Sequence, residues 1–163
     1  MVNKILFITL SNIGDVILTL PVLDTLREKF PQAKVTVLAG PRTKEIFQDN
    51  PCIDKFIIYD KYSKLREKVK LFNTLKKENF ALVVDLRNSL FGLLLPSRYR
   101  ASSFLFVPKK IKHMKDRHLY KVKSLKLKAK SLEIETTKKA SLYISPEDQV
   151  YIKSKLKENG ITD

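Results

Sequence analysis

Apolar residues along the first part of the chain follow two alternating patterns, one typical of buried strands and one typical of amphipathic helices. Short apolar runs predict four strands, at residues 4–10, 34–39, 55–59 and 80–86. From Val16 to Phe30 the apolar residues recur at spacings of three and four, which predicts a helix that Pro21 kinks or restarts and Pro31 ends. This alternation is typical of an α/β domain with a mainly parallel sheet between two helical layers.

Further elements complete this three-layer pattern. Helices are predicted at residues 43–49, with Thr43 as the cap, and at residues 62–78, 88–95 and 109–130, and two more strands at residues 103–107 and 140–144. Ser145 at a cap position, Pro146 after it and Asp148 three residues from the cap predict the start of a last helix, which Gly160 ends. The sequence thus predicts one domain over residues 1–144 and a helix that leads out of it over residues 145–163.

The composition is that of a globular protein with a core of ordinary size, because 44% of the 163 residues are hydrophobic. The single cysteine, Cys52, cannot form an internal disulfide, so we expect a buried thiol in a reducing compartment. Asp15 interrupts the apolar N-terminal segment, and no apolar stretch reaches the roughly 20 residues that cross a bilayer. We therefore expect a cytoplasmic protein that is soluble or peripheral to a membrane.

Positive charge is concentrated in one part of the chain. The sequence has 32 Lys and Arg against 17 Asp and Glu, a formal net charge of +15, and residues 98–139 alone hold 14 basic and 3 acidic residues. An anionic membrane surface, a phosphorylated substrate and a nucleic acid would all be attracted to such a segment. For any single lysine, a solvated basic face is the simpler interpretation.

Asp15 lies where the first predicted strand turns into the first predicted helix. In open parallel sheets this end of a strand borders the ligand crevice, and Gly14 allows a tight turn or the close approach of a ligand. One glycine does not make a G-x-G-x-x-G dinucleotide fingerprint, and no G-K-[ST] follows for a P-loop. Two interpretations stay open: Asp15 is a favourable charge at a helix N-terminus, worth about 0.3–1 kcal/mol, or a general base that takes a proton from a substrate hydroxyl.

The segment around Asp15 resembles the opening of the lipopolysaccharide heptosyltransferase family, which is glycosyltransferase family nine. The resemblance rests on ILFITLSNIGDVILTLPVLDTLREKFPQAKVTVLA, which supplies a Ser-x-x-Gly-Asp turn after a strand, then Thr-x-Pro, then Phe-Pro before the second strand. The later segments PCIDKFIIYD, NFALVVDLRNSLFGLLL and RHLYKVKSLKL extend the resemblance to about Leu127.

The resemblance implies a Rossmann-like domain that forms the N-terminal, acceptor-binding half of a GT-B fold. It implies an inverting enzyme that transfers heptose from ADP-heptose to an acidic lipopolysaccharide inner-core acceptor, with Asp15 as the catalytic base and with no metal or other cofactor. The implied partners are this acidic glycolipid and the anionic inner leaflet of the inner membrane. The nucleotide-sugar domain has no match in this sequence, so we expect the chain alone to be inactive; a separate C-terminal half stays open as a further partner.

Acceptor binding is the role that the resemblance suggests for other polar residues at the strand ends. The predicted acceptor-binding residues are Ser11, Asn12, Gly14, Lys61, Lys64, Arg66, Asp85, Arg87 and Asn88. Lys and Arg suit phosphates and carboxylates, Arg by bidentate contact. Simpler structural roles stay open for these residues. Lys61, Lys64 and Arg66 could lie on a solvated helix face after the third strand. Ser11 and Asn12 could form hydrogen bonds with loop N–H groups, and Asn88 could cap the next helix.

Two other classes of function compete with this interpretation. The basic segment could bind nucleic acid, or the chain could be a noncatalytic interaction module. Few aromatic residues accompany the basic ones and no helix-turn-helix, RNA-recognition or zinc-finger signature is present, so a nucleic-acid partner is disfavoured. His113 and His118 lie five residues apart without carboxylate or thiol support, which does not predict a metal site, and we expect His118 to pack or to cap.

Overall fold

Five parallel strands form one sheet in a computed structural model that describes residues 2–101, 107–123 and 142–161. The strands are β1 Lys4–Ile8, β2 Lys34–Ala39, β3 Lys55–Ile58, β4 Leu82–Asp85 and β5 Tyr99–Ala101. Their spatial order is β3-β2-β1-β4-β5. The predicted α/β fold with a parallel sheet is confirmed, and the four strands predicted first are all present, three of them with shorter ends.

Helices cover the two faces of the sheet. They are α1 Ile13–Ile17, α2 Leu20–Lys29, α3 Lys44–Phe47, α4 Leu65–Lys77, α5 Leu90–Leu94, α6 Met114–Lys123 and α7 Pro146–Glu158, with a short 3₁₀ turn at Pro41–Thr43 before α3. Ile5 and Phe7 of β1 pack into a core with α1, α2 and α6, whereas Leu6 and Ile8 pack into a second core with α4 and α5. This is the predicted three-layer arrangement, since successive side chains of a strand point to opposite faces.

The first predicted helix is two helices, α1 and α2, separated by Leu18 and Thr19. Pro21 is in the first turn of α2, where its missing N–H costs no hydrogen bond. At the junction the Thr19 hydroxyl donates to the Val16 carbonyl at 2.7 Å and lies 2.8 Å from the Thr9 hydroxyl. Because Thr19 uses its own proton on Val16, Thr9 is the donor to Thr19. This buried pair ties the end of β1 to the break between the helices.

Some predicted elements were wrong. A strand at Tyr99–Ala101 was not predicted. Of the strand predicted at residues 103–107, Val107 is not in a strand, and residues 103–106 lie outside the described residues. The missing prediction of β5 has a physical reason. Among the described strands β5 pairs with β4 alone, and such edge strands accept charged residues that break the apolar pattern. Of the predicted sixth strand, residues 142–144 are not a strand, and residues 140–141 lie outside the described residues.

Three smaller predictions can also be compared with the structure. Thr43 precedes α3 but its side chain does not cap the helix, because its hydroxyl donates to the Gly40 carbonyl at 2.8 Å. Cys52 is exposed, in a turn that the Asn50 side chain closes, so the expected burial of its thiol was wrong. The predicted helix over residues 109–130 is described as α6 only; residues 124–130 lie outside the described residues.

The start and end of α7 are as predicted. The Ser145 hydroxyl accepts a hydrogen bond from the Asp148 backbone N–H at 3.0 Å, and Gly160 ends the helix with a φ of 71°. Every residue of the helix is exposed. Its assignment as a link to a second domain stays a prediction.

The loop between β4 and α5 is organised by the buried carboxylate of Asp85, which is 4% exposed. Its Oδ1 accepts from the Arg87 backbone N–H at 2.9 Å, and its Oδ2 accepts from the Ser89 N–H at 2.7 Å and the Ser89 hydroxyl at 3.1 Å. Burial raises the pKa of Asp85, while these hydrogen bonds act in the opposite direction. Gly92 of α5 lies directly against this carboxylate, so close that a β-carbon there would collide with Asp85.

His118 of α6 is buried beside Leu119 and Val122, which join the core that α2 covers. Among the described residues neither ring nitrogen has a hydrogen-bond partner. Burial, with the charges of Lys121 and Arg117, lowers the pKa of His118 to about 4, and the Asp15 charge opposes this shift. The ring is therefore neutral in the folded chain at neutral pH.

We expect Gly92→Ala to lower the free energy of unfolding by about 1–3 kcal/mol, because the added methyl group displaces Asp85 or α5. For a chain of this size, the melting temperature should fall by roughly 2–4 °C per kcal/mol, measured by circular dichroism. Gly14→Ala is the matched control, since Gly14 is also helical but a β-carbon there meets no atom within 4 Å. Equal destabilisation by both substitutions would contradict the collision.

Stability is expected to fall on acidification partly through His118. Its pKa in the folded chain, about 4, lies below the usual 6.5, so its contribution is present above pH 6.5 and is lost as the pH falls through about 4. The loss between pH 7 and pH 4 should be roughly 3 kcal/mol. Urea unfolding at both pH values should show a smaller difference in His118→Leu than in the unsubstituted chain. His113→Leu, which changes an exposed histidine, should leave the difference as it was.

Candidate functional site

The strand order reverses between β1 and β4. The chain runs outward from β1 through β2 to β3, then returns to place β4 on the other side of β1. At such a point the loops at the carboxyl ends of the two strands diverge and leave a crevice. The loop after β1 carries Ser11 and Asn12 and leads into α1, and the loop after β4 carries Arg87 and Asn88. The structure thus places these predicted residues at the carboxyl edge of the sheet.

Asp15 projects into solvent from the first turn of α1. Its Oδ2 accepts a hydrogen bond from the Asn12 side-chain Nδ2 at 3.2 Å. The helix beneath it is held in place, since Val16 is buried and the next turn is tied to β1 through Thr19 and Thr9. An exposed carboxylate on an anchored helix, with one oxygen oriented by an amide, is an arrangement that can accept a proton from a bound hydroxyl.

Gly14 is not needed for a tight turn. Among the described glycines, Gly160 alone has a positive φ, and Gly14 is helical. A β-carbon at Gly14 would face open space, which is compatible with the predicted approach of a ligand. Gly40, which follows β2, cannot carry a side chain without a collision, because a β-carbon there would lie 2.7 Å from the Ser11 β-carbon. The close approach of the β1 and β2 loops therefore depends on Gly40, which the sequence analysis did not select.

A polar cavity of about 310 Å³ lies at the carboxyl ends of β1, β2 and β3. The residues that line it are Ser11, Asn12, Pro41, Arg42, Tyr59, Asp60, Lys61 and Tyr62. Three predicted acceptor-binding residues, Ser11, Asn12 and Lys61, are brought together here. Arg42 was missed, although it follows the second strand just as Asn12 follows the first, and the rule applied to the other strands would have found it.

A larger cavity of about 490 Å³ lies between α4 and α5, and we call it the tail cavity. The predicted residues Arg87 and Asn88 are part of its lining. The Arg87 guanidinium lies over the Tyr59 ring, 4.8 Å from the ring centre. Asn88 has a left-handed φ of 62° and does not cap α5; Ser89 does, by accepting from the Gly92 N–H at 3.3 Å.

The remaining predicted acceptor-binding residues lie outside both cavities. Lys64 is exposed at the N-cap position of α4, and Arg66 is exposed in its first turn. Asp85 is buried, and its hydrogen bonds to the β4–α5 loop favour a role in shaping that loop. Direct contact of these three residues with an acceptor stays a prediction.

Helix α6 brings two titratable side chains, His118 and Lys121, near the carboxylates of Asp15 and Asp85, which the sequence analysis did not predict. Asp15 raises the pKa of His118, and Asp85 raises the pKa of Lys121, although burial lowers the pKa of both basic groups overall. Both carboxylates therefore lie within electrostatic reach of this helix. The three-residue spacing of His118 and Lys121 on one helix face was the available signal.

The described residues contain neither a cluster of metal ligands nor a helix that could cross a membrane. Within residues 2–101, 107–123 and 142–161, no three His, Cys, Asp or Glu side chains are grouped so that they could hold a metal ion. No helix in these ranges combines the length and apolarity needed to cross a membrane.

No protein-family model matches the chain. The chain is 33% identical over 98 residues to lipopolysaccharide heptosyltransferase 3 of Escherichia coli K12, a match that covers 55% of this chain and 28% of that protein. A second lipopolysaccharide heptosyltransferase 3 of Escherichia coli is 35% identical over 87 residues, 50% of this chain and 26% of that protein. The matched region thus spans less than a third of either relative.

Solved structures of glycosyltransferases have a similar fold. The glycosyl transferase family 9 protein of Veillonella parvula DSM 2008 superposes with a TM-score of 0.67 and 19% identity, over 99% of this chain and 50% of that one. ADP-heptose lipopolysaccharide heptosyltransferase II of E. coli gives a TM-score of 0.66 and 18% identity, over 98% and 51%. The chain spans about half the length of these structures. The resemblance to the lipopolysaccharide heptosyltransferases of glycosyltransferase family 9 is confirmed, and the chain has the fold of one half of such a protein.

Proposed function

We propose that this chain is the acceptor-binding, N-terminal domain of an inverting glycosyltransferase of lipopolysaccharide biosynthesis. In this proposal heptose passes from ADP-heptose to an acidic inner-core acceptor at the cytoplasmic face of the inner membrane. The observation that carries the proposal is the exposed carboxylate of Asp15 at the point where the strand order reverses. The sequence relation to lipopolysaccharide heptosyltransferase 3 supports the choice of sugar and pathway.

The proposed chemistry assigns one step to Asp15. Its carboxylate takes the proton of an acceptor hydroxyl as that oxygen forms a bond to the anomeric carbon of the donor sugar. The bond from this carbon to the diphosphate breaks, and ADP leaves with the electron pair, so the configuration at the anomeric carbon inverts. General-base assistance of about 10²–10⁴-fold corresponds to roughly 3–5 kcal/mol of the barrier.

The polar cavity is the proposed site for the anionic part of the acceptor. Arg42 and Lys61 provide two cationic groups, and Ser11 and Asn12 provide hydrogen-bonding groups from the neighbouring loop. Asn12 connects this cavity to the base, since its side chain lines the cavity and donates to Asp15. An acceptor held in this cavity would place its hydroxyl groups on the Asp15 side of the crevice.

The surface around Asp15 is apolar enough to form a contact with a ligand or with another domain. Three large apolar side chains of the same segment are exposed: Ile13 by 53%, Ile17 by 41% and Leu18 by 38%. Exposed apolar groups clustered in this way favour contact with a ligand or another protein surface. In the proposal the donor-binding domain closes over this surface, and ADP-heptose is bound by that domain.

The proposal predicts that Asp15→Asn removes most turnover while it preserves the fold. Asn has nearly the same shape and still suits the start of a helix, so the melting temperature should change little. It cannot accept a proton at neutral pH, so kcat should fall by about 10²–10⁴-fold with KM for the acceptor nearly unchanged. Steady-state kinetics are measured in a protein that combines this chain with a donor-binding half.

Asp60→Asn is the matched control for this measurement. Asp60 is a carboxylate in the same cavity whose Oδ1 accepts from the Tyr62 N–H at 2.9 Å, a bond that the Asn side-chain oxygen can also accept. Its substitution should leave kcat within a few-fold of the unsubstituted protein. Near-normal kcat in Asp15→Asn would remove the general-base role.

The proposal also places the basic segment against the anionic membrane. Lys109, Lys110 and Lys112 are exposed within its described part. Each lysine near such a surface contributes about 1 kcal/mol, and salt screens the attraction. Sedimentation with phosphatidylglycerol vesicles should therefore exceed that with phosphatidylcholine vesicles and should weaken as salt is added.

A charge-matched pair of variants locates this contact. Changing Lys109, Lys110 and Lys112 to Gln should reduce vesicle binding, whereas changing Lys153, Lys155 and Lys157 of α7 to Gln should have a smaller effect. Equal effects of the two triple variants would show attraction by net charge alone and would contradict a specific membrane-facing surface. Binding of duplex DNA as tight as vesicle binding at the same salt would favour the nucleic-acid alternative.

A further inference from the structure

The tail cavity has walls of a different chemistry from the polar cavity. Its apolar lining comes from two helices, with Leu65, Val69 and Phe72 on α4 and Leu90, Phe91 and Leu94 on α5. Aromatic rings form its inner part: Phe91 meets Tyr59 edge-to-face at 5.0 Å and lies 6.4 Å from Phe72. At about 490 Å³ it is within the size range of sites that bury small ligands.

The rim of the tail cavity is unusually apolar for a surface. Leu65 is 76% exposed, Leu90 71%, Leu94 59% and Val69 50%. These four side chains contribute nothing to the two cores of the domain. A rim of this kind gains free energy when a flexible apolar chain covers it.

The charged groups of the tail cavity are both cationic. Lys68 stands on α4 and Arg87 on the β4–α5 loop, and the lining contains no Asp or Glu among the described residues. The Arg87 Nη1 atom is buried and has no hydrogen-bond partner within the described parts of the chain. A buried guanidinium donor without a partner is costly, and an anionic group brought to the cavity would satisfy it. The charge therefore favours an anionic occupant over a neutral or a cationic one.

The tail cavity adjoins the polar cavity. Tyr59 lines both of them. Their rims are also linked, because the Lys68 ammonium donates to the Lys61 carbonyl at 2.7 Å. A molecule with a polar, anionic end and an apolar end could therefore occupy the two sites together.

We propose that the tail cavity binds the acyl chain of an anionic amphiphile, whose phosphate or carboxylate is met by Lys68 and Arg87. Helices α4 and α5 enclose the chain, and Tyr59 marks the boundary between the apolar and the polar part of the ligand. Where that amphiphile is the acidic glycolipid acceptor, the identification rests on the proposed function. Binding of a simple alkyl phosphate does not depend on it.

Calorimetric titration of the full chain with dodecyl phosphate, below the concentration at which it forms micelles, tests the proposal. We expect one molecule to bind per chain, roughly ten-fold or more tighter than inorganic phosphate or dodecyl maltoside. Circular dichroism in the same titration should show that the helices are retained. Absence of binding, binding of many molecules with loss of helix, or equal affinity for inorganic phosphate would each overturn the proposal.

Two matched pairs of variants locate the site. Leu94→Gln should weaken binding about ten-fold, whereas Leu93→Gln, at an exposed neighbour that does not line the cavity, should not. Lys68→Gln should likewise weaken binding, and Lys70→Gln on the same helix should not. All four side chains are at least partly exposed, so the variants should fold. Equal effects within either pair would place the ligand elsewhere.

The two proposals can fail separately. Asp15→Asn should bind dodecyl phosphate as the unsubstituted chain does, because Asp15 does not line the tail cavity. If dodecyl phosphate binds as expected but no heptose is transferred by the completed protein, the proposed function is wrong and the proposal of an amphiphile site in the tail cavity is supported. If transfer depends on Asp15 but dodecyl phosphate does not bind, the proposal of an amphiphile site in the tail cavity is wrong and the proposed function is supported.

Discussion

The central position of β1 is the constraint on which the rest of the structure depends. Ile5, Leu6, Phe7 and Ile8 are all fully buried, since helices cover both faces of this strand and neighbouring strands cover both of its edges. Phe7 is paired in register with Val37 of β2 on one side and with Val84 of β4 on the other. A shift of one residue would turn every side chain of β1 to the opposite core. The loops at its carboxyl end therefore start from a fixed point, and the position of α1 and Asp15 follows from it.

Hydrogen bonds of buried polar groups fix the positions of the loops relative to the sheet. Thr9 and Thr19 connect β1 to the junction of α1 and α2, and Asp85 gathers three donors of the loop after β4. Each group would be costly if it were buried without its partners, so the loop conformation and the burial depend on each other. The loop around Asp85 has two further requirements. Asn88 must adopt a left-handed backbone conformation, and residue 92 must have no side chain. The exposed residues at the crevice are thus held in place by buried residues beneath them.

The sequence allowed the fold to be predicted because its strands are apolar on both faces and separated by helical repeats. It also located Asp15, since the rule that ligands lie at the carboxyl ends of parallel strands requires only the order of elements. It could not locate β5, because this short edge strand contains Arg100, directly follows Arg98 and so lacks the apolar pattern. The exposed Cys52 shows the same limit, since the residue type favours burial but its turn lies outside the core. Pairings across space, such as that of Arg87 with Tyr59, have no signal in local spacing.

The two cavities suggest how distant parts of a ligand could act on one reacting group. Asn12 links the polar cavity to Asp15, and Tyr59 links the polar cavity to the tail cavity. Contacts with a nonreacting part of a substrate can be used to hold its reacting group in place, so that less freedom is lost in the transition state. A flexible amphiphile has much conformational freedom to lose. In the proposed function, an apolar site beside the crevice would restrict that freedom before the acceptor hydroxyl reaches Asp15. Asp15 does not line the tail cavity, so apolar contacts that hold a ligand there leave this carboxylate exposed at the start of α1.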